Sequence, residues 1–384
     1  MKFLLAVFFY LLQPVLWAGI IRTFLVYNNR LKRERSIFGS AIYGDFFEGR
    51  HFFRSIITLG IIGSILSLLF INISALWLIW YLIISLITLV VLPFQIFTVT
   101  SSVLASLLAL NNIQLPQFSG VLGFLNSIGL RNQNINSVNY IIITTLIIIL
   151  NTIFIRKNGG EFESPSIARN TRNNRIAVYR FNELSVIPLL CLVPGNWFTS
   201  HLSFWPAFSI HGQSFSLLFV PILLGLKMAV KSDVPRKFYL KLTKYFQLLA
   251  LIGIIFTLIC LFIPRLTFYA LVVMLLGYYL AMEIVHHIDY AGDFEYSEVV
   301  NGVRVIGIQP GTPAAKMNLQ IGDTILTVNG VSVSNEDEFY RALSKDSTYS
   351  RFRVLDRNNQ LKLTEAAIFQ NAPHEIGVKT YSNR

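Results

Sequence analysis

Stretches almost free of charge run through the first 284 of the 384 residues, and no other feature limits the fold so strongly. A helix of about 18 to 20 apolar residues is long enough to cross the hydrocarbon of a bilayer. In lipid the backbone has no water to bond with, so such runs are expected to close their hydrogen bonds internally as helices. The spacing predicts spans at about 3–21, 56–71, 73–92, 94–110, 138–155, 184–202, 214–230, 246–263 and 267–284. The runs at 56–71, 94–110 and 184–202 are the shortest or most polar of these. Residues 3–21 are too long for a signal-peptide core and no small-x-small site follows, so they read as a first span that stays in the protein. A chain 54% hydrophobic and 14% charged, with mean hydropathy +0.57, is excluded from the ordinary soluble class.

The net charge of +12 would suggest nucleic acid if it were spread evenly, but it is not. Residues 285–384 hold 10 Lys/Arg and 12 Asp/Glu, so the excess belongs to the apolar part. There it gathers in three loops, 22–54, 156–181 and 231–245, which together carry 18 basic residues. The segments expected on the other side hold only Lys2, Arg131 and Arg265. Lys/Arg-rich short loops stay on the cytoplasmic side. Nine spans put all three loops and the C-terminal region there, and the N-terminus outside. The cluster Arg30, Lys32, Arg33 and Arg35 also suits anionic lipid headgroups.

Catalytic patterns are few. There is no HExxH helix for a membrane metalloprotease. Glu283, His286 and His287 share a helix face at the end of the last span, in the wrong order for that class. His51, His201, His211 and His374 read as loop or soluble-domain residues, which leaves no span histidine for a rhomboid-type site. The two cysteines, Cys191 and Cys260, sit in apolar runs as small core residues. The spans hold almost no ionisable residue of the kind a transport path uses. No cofactor, metal ligand set or enzymatic activity is expected. A regulator or degenerate relative of a membrane protease, and a transporter with a regulatory domain, are the alternatives.

After Ile284 the hydropathy falls, and from Gly302 the chain reads GVRVIGIQPGTPAAKMNLQIGDTILTVNGVSV (302–333). Val303 and Val305 alternate with Arg304 as a half-buried strand does. Pro310-Gly311 turns, and Thr312-Pro313 opens a short helix that Asn318 can end in a left-handed conformation. Asn329-Gly330 marks a hairpin between Ile325–Val328 and Val331–Val333. A helix is expected at about 335–344, with Ser334 and Asp337 as a capping box, then strands through 352–354 and 361–363. This pattern resembles the HtrA-type bacterial PDZ domains, carried by PGTPAAKMNLQIGDTILTVNG (310–330) and EDEFYRAL (336–343). Asn318 stands where that family usually has glycine.

The PDZ resemblance implies a peptide groove between a strand at 294–297 and the helix, with Gly292 in the loop that receives a chain terminus. Its lining would be Gly292, Phe294, Tyr296, Phe339, Ala342 and Leu343, of which Phe339 and Leu343 serve equally well as plain core. Asp293 and Glu295 would repel a carboxylate, so an internal segment added as a strand is at least as well suited.

The expected architecture is therefore an α-helical polytopic membrane protein of about eight or nine transmembrane helices with a small C-terminal α+β PDZ domain. Residues 1–284 form the membrane part, 285–296 a linker with the first PDZ strand, and 297–384 the cytoplasmic domain. With an N-terminal span, the basic segment RLKRERSIF (30–38), a many-spanning middle and one terminal PDZ domain, the chain resembles the MinJ family of cell-division topological determinants. That resemblance implies a non-enzymatic adaptor in the cell membrane, linking a DivIVA-like pole or septum scaffold to a MinD-like division regulator.

Overall fold

The computed structural model describes residues 2–91, 98–111, 136–170, 172–194, 207–210, 213–292, 296–346, 349–367 and 376–381. The first apolar run is two helices rather than one. α1 (Lys2–Leu11) stops before Gln13, and Pro14 opens α2 (Pro14–Phe38). Proline has no N–H to bond back into α1 but suits the first turn of a new helix. α2 carries the whole 30–38 segment and ends at Gly39, whose φ of 73° is the left-handed geometry of a helix stop.

α3 (Phe47–Phe70), α4 (Ala75–Val90), α5 (Thr98–Leu110) and α6 (Val138–Asn158) follow. A four-stranded sheet comes next, made of β1 (Pro165–Arg169), β2 (Arg175–Pro194), β3 (Ala207–Ile210) and β4 (Gln213–Val230) in the order β1-β2-β4-β3. α7 (Pro235–Phe262) and α8 (Thr267–Ala291) complete the apolar part. Four stretches among the described residues are helices long and apolar enough to cross a membrane: Phe47–Leu68, Val138–Asn158, Pro235–Phe262 and Pro264–Ala291. Ile57, Ile61 and Ile65 of α3, Leu248, Leu251 and Leu258 of α7, and Leu276 and Leu280 of α8 are all more than half exposed. Apolar faces of that extent are covered by lipid in a membrane protein.

The expectation of eight or nine spanning helices is corrected here. The described residues of segments 184–202 and 214–230 are not helical; they belong to β2 and β4, strands of 20 and 18 residues. The two pair antiparallel from Tyr179 opposite Val230 to Pro194 opposite Phe215, with α3 lying along β2. A continuous apolar run is the signature of a buried strand as much as of a buried helix.

Such a hairpin has two edges that neither water nor lipid can satisfy, and side chains of the helices take their place. On the β2 edge Tyr10 donates to Val186 O at 2.7 Å, while Ser64 donates to Pro188 O at 3.1 Å and accepts from Leu190 N at 3.0 Å. On the β4 edge Tyr81 Oη accepts from Leu223 N at 2.9 Å and Asn151 Oδ1 from Gly225 N at 2.8 Å. These bonds fix which residues point outward, and Pro188 and Pro221 face each other in that outward set. Their missing N–H groups therefore remove no ladder bond and leave no donor stranded at the edge.

α8 continues through Ala291, so residues 285–291, expected as linker, are helical. The C-terminal domain then contains β5 (Val303–Arg304), β6 (Gly307–Ile308), α9 (Pro313–Lys316), β7 (Thr324–Val328), β8 (Val331–Ser332), α10 (Glu336–Leu343), β9 (Tyr349–Leu355), β10 (Leu361–Ala367) and β11 (Val378–Lys379). One sheet runs β10-β9-β7-β5 with β8 on β7, and β11 pairs with β6.

Candidate functional site

The turns of the C-terminal domain follow their residue chemistry. Asn318 and Asn329 have φ of 54° and 50°, and Gly330 completes the hairpin at 81°. The helix cap is shifted by one residue from the expected one. Asn335 Oδ1 accepts from Glu338 N at 2.9 Å, and Glu338 Oε2 accepts from Ser334 N at 2.8 Å. α10 is thereby fixed with Phe339 and Ala342 inward, in a core with Val303, Ile325, Val328, Phe352 and Val354.

The strand beside α10 comes from an unexpected part of the chain. Ile376 and Val378 join the same core. Thr380 Oγ1 donates to Glu336 Oε1, at the start of α10, at 3.3 Å. Gln309 N donates to Gly377 O at 2.8 Å and Ile306 N to Lys379 O at 2.9 Å. With residues 377 and 379 bonded toward β6, antiparallel alternation turns the backbone groups of Val378 and Thr380 to the opposite edge, beside α10. Gly377 has φ of 86°, and an added Cβ would lie 2.0 Å from Thr312 Oγ1, so only glycine fits. Along α10, Glu336, Tyr340 and Leu343 recur at helical spacing, with Tyr340 exposed and Leu343 half-buried.

Of the residues expected in the groove, Phe339 and Ala342 are core, and Leu343 packs partly against them. Phe294 lies outside the described residues. Gly292 caps α8 beside Ser232. Tyr296 is fully buried at a different contact, where the C-terminal domain docks on the end of β2. There Ala177 N donates to Tyr296 O at 3.2 Å, Glu298 N donates to Arg175 O at 3.0 Å, and Ile176 bridges Ser297 antiparallel. The Tyr179 ring meets Tyr296 edge-on at 5.0 Å, and its hydroxyl donates to Ile306 O at 2.8 Å. Tyr381 donates to Tyr296 O, and Arg175 Nε donates to Glu298 at 2.7 Å. Burial pushes the Tyr179 and Tyr381 phenols up, so both are neutral donors. Lys379, from the strand beside α10, donates to Ser40 Oγ at 2.7 Å in the loop after α2.

Within the basic segment Arg30 and Glu34 are bonded inward, while Lys32 and Arg35 are exposed. Arg30 binds Glu48 through Nε at 2.6 Å and Glu34 at 3.2 Å, and donates to the carbonyls of Tyr43 and Asp45. Glu34 accepts from Ile42 N at 2.8 Å and from Ser164 Oγ at 2.6 Å. His51, read from sequence as a loop residue, is on α3 inside the stretch Phe47–Leu68. It is buried with Nδ1 2.6 Å from Glu183 Oε2 and Nε2 3.2 Å from Glu161. Glu283, His286 and His287 are exposed on α8, and among the described residues no group of three His, Cys, Asp or Glu side chains converges to hold a metal. His201, His211 and His374 lie outside the described residues.

A small sheet capped by α10 and joined to long apolar helices defines a membrane protein with a PDZ interaction module, and residues 304–355 match the family described as PDZ domain. The chain is similar to the cell division topological determinant MinJ of Bacillus subtilis, 32% identical over 216 residues, which is 56% of this chain and 54% of that protein. It is also 30% identical over 223 residues to the probable MinJ of Lacticaseibacillus paracasei, covering 57% of this chain and 59% of the relative. The matched stretch thus spans little more than half the length of these curated relatives.

Proposed function

We propose that the chain is a non-enzymatic membrane adaptor that recruits protein partners to the place of cell division through its C-terminal domain. One observation carries this reading: the edge of β11 that is not bonded to β6, at Val378 and Thr380, faces α10 and is buried among the described residues, so a peptide added there displaces what covers it. An extended peptide adds to such an edge by main-chain bonds, while side chains of the facing helix read its sequence. Glu336 at one end of α10 favours a ligand with a basic residue there, and Tyr340 and Leu343 favour apolar contacts beyond it. The similarity to MinJ proteins supports the division role, and the three basic loops support a cytoplasmic C-terminal domain. A DivIVA-like scaffold and a MinD-like regulator are the partners we propose to test first.

The test is in-cell crosslinking and capture with three full-membrane-part proteins: intact, lacking 297–384, and Leu343→Arg. Division-site proteins should be captured by the intact form only, with equal amounts of all three in the membrane fraction. Capture that persists in Leu343→Arg would reject the groove, and capture that persists without 297–384 would reject the adaptor role of the domain.

A further inference from the structure

A cavity of about 410 Å³ opens between α2 and the end of the β2–β4 hairpin, on the face that carries the basic loops. Its cations are Arg30 and Arg33 from α2, Arg180 from β2 and Lys227 from β4. Arg30 is neutralised by Glu34 and Glu48, and Glu183 is engaged by His51. Arg33 and Arg180 share the remaining space with Lys227. Neither Arg33 nor Arg180 forms an ion pair among the described residues. Arg33 donates one Nη2 bond to Ser164 at 3.1 Å, and its Nε is buried with no acceptor. Burial, and after it the Arg180 charge, lower the Arg33 pKa. Like charges gathered in a partly desolvated space favour an anion.

The surroundings indicate which anion. Val26 and Met228 give the cavity an apolar wall, and on the same helix Ile21, Phe24 and Leu25 are each more than half exposed. Cations thus border a lipid-facing surface, as a ligand with a charged head and apolar chains requires. We propose that this cavity binds the phosphate of an anionic phospholipid headgroup, with Arg33, Arg180 and Lys227 around the phosphate and the acyl chains along the exposed apolar face of α2. Arg33 Nε and Nη groups donate to two phosphate oxygens, the geometry guanidinium groups provide best. This site is separate from the peptide edge beside α10 and does not depend on the adaptor role.

The experiment is native mass spectrometry of the purified full chain in detergent, with phosphatidylglycerol or phosphatidylcholine added. Phosphatidylglycerol should be retained in preference, and R33Q/R180Q should weaken its retention by about five-fold per charge removed. K32Q/R35Q removes two exposed charges from the same helix and should retain the lipid as the parent does. R180Q alone, at an exposed position, should show about a five-fold loss with an unchanged Tm, which guards against misfolding of the double variant. Equal losses in R33Q/R180Q and K32Q/R35Q, or no loss in R180Q, would overturn the site. Millimolar inorganic phosphate should leave the lipid bound; if it displaces the lipid completely, the cavity takes free phosphate and the lipid assignment falls.

Discussion

Arg30 and Glu34 show how much one side chain can hide in a basic segment. In sequence they belong to a run of charges suited to topology or lipid attraction, and only their four-residue spacing hints at a pair. Glu48, which completes the network, is too distant in sequence to be found by spacing. The guanidinium lies 4.3 Å from the Phe47 ring centroid and is nearly inaccessible to solvent. Removing one partner of a buried pair strands the other, at a cost of about 3–5 kcal/mol. Arg30→Ala should therefore lower thermal stability strongly in detergent, whereas Arg35→Ala, at an exposed position, should change it by about 0.5 kcal/mol or less. Equal Tm values for the two variants would show that the network contributes no net stability.

Among the elements, those whose limits are set by turn residues were legible. Asn318, Asn329-Gly330 and the α10 sequence place the helices and hairpin of the C-terminal domain, and they lie where local chemistry puts them. The β2–β4 hairpin was not legible because its strands are apolar on both faces and so show no two-residue period. Pro188, Pro194 and Pro221 are the signal that was available, since they suit outward edge positions in a strand better than the interior of a helix. The strand beside α10 was missed for another reason: it is short, and its pairing with residues some 70 positions earlier is set by tertiary contact. Gly225 tests the hairpin directly. Its φ is 148°, and a Cβ would lie 2.5 Å from Glu183 O across the ladder. Gly225→Ala should destabilise the protein by about 1–3 kcal/mol, and isotope-labelled residues 184–194 should give strand rather than helix carbon shifts in lipid. Helical shifts there would refute the hairpin.

At the scale of the whole molecule, the apolar part and the C-terminal domain are one continuous arrangement through β2. Its buried half is bonded to α1 and α3, and its other end bonds residues 296–298 and carries Tyr179 against Ile306. The domain is thus held in a fixed attitude to the lipid-facing helices, with Lys379 set against the loop after α2. Orientation is testable at this scale because the native cysteines are buried. A membrane-impermeant maleimide added to whole cells should label Arg265→Cys, in the turn between α7 and α8, but label Lys345→Cys only after permeabilisation. The opposite pattern would place the C-terminal domain outside the cell.

The outward-facing bonds of the hairpin also govern how the chain is made. A helix can leave the insertion machinery alone, because its hydrogen bonds close within itself. β2 cannot: its ladder partner is β4, which ends 36 residues after β2 does. At about 5–20 residues per second, synthesis reaches that point after several seconds. Until then the first strand has to be sheltered, by the translocation channel or by the already inserted α3 with its Ser64. A polypeptide ending between the two strands would leave the long β2 ladder without its partner, and so could not be a shorter version of the same fold.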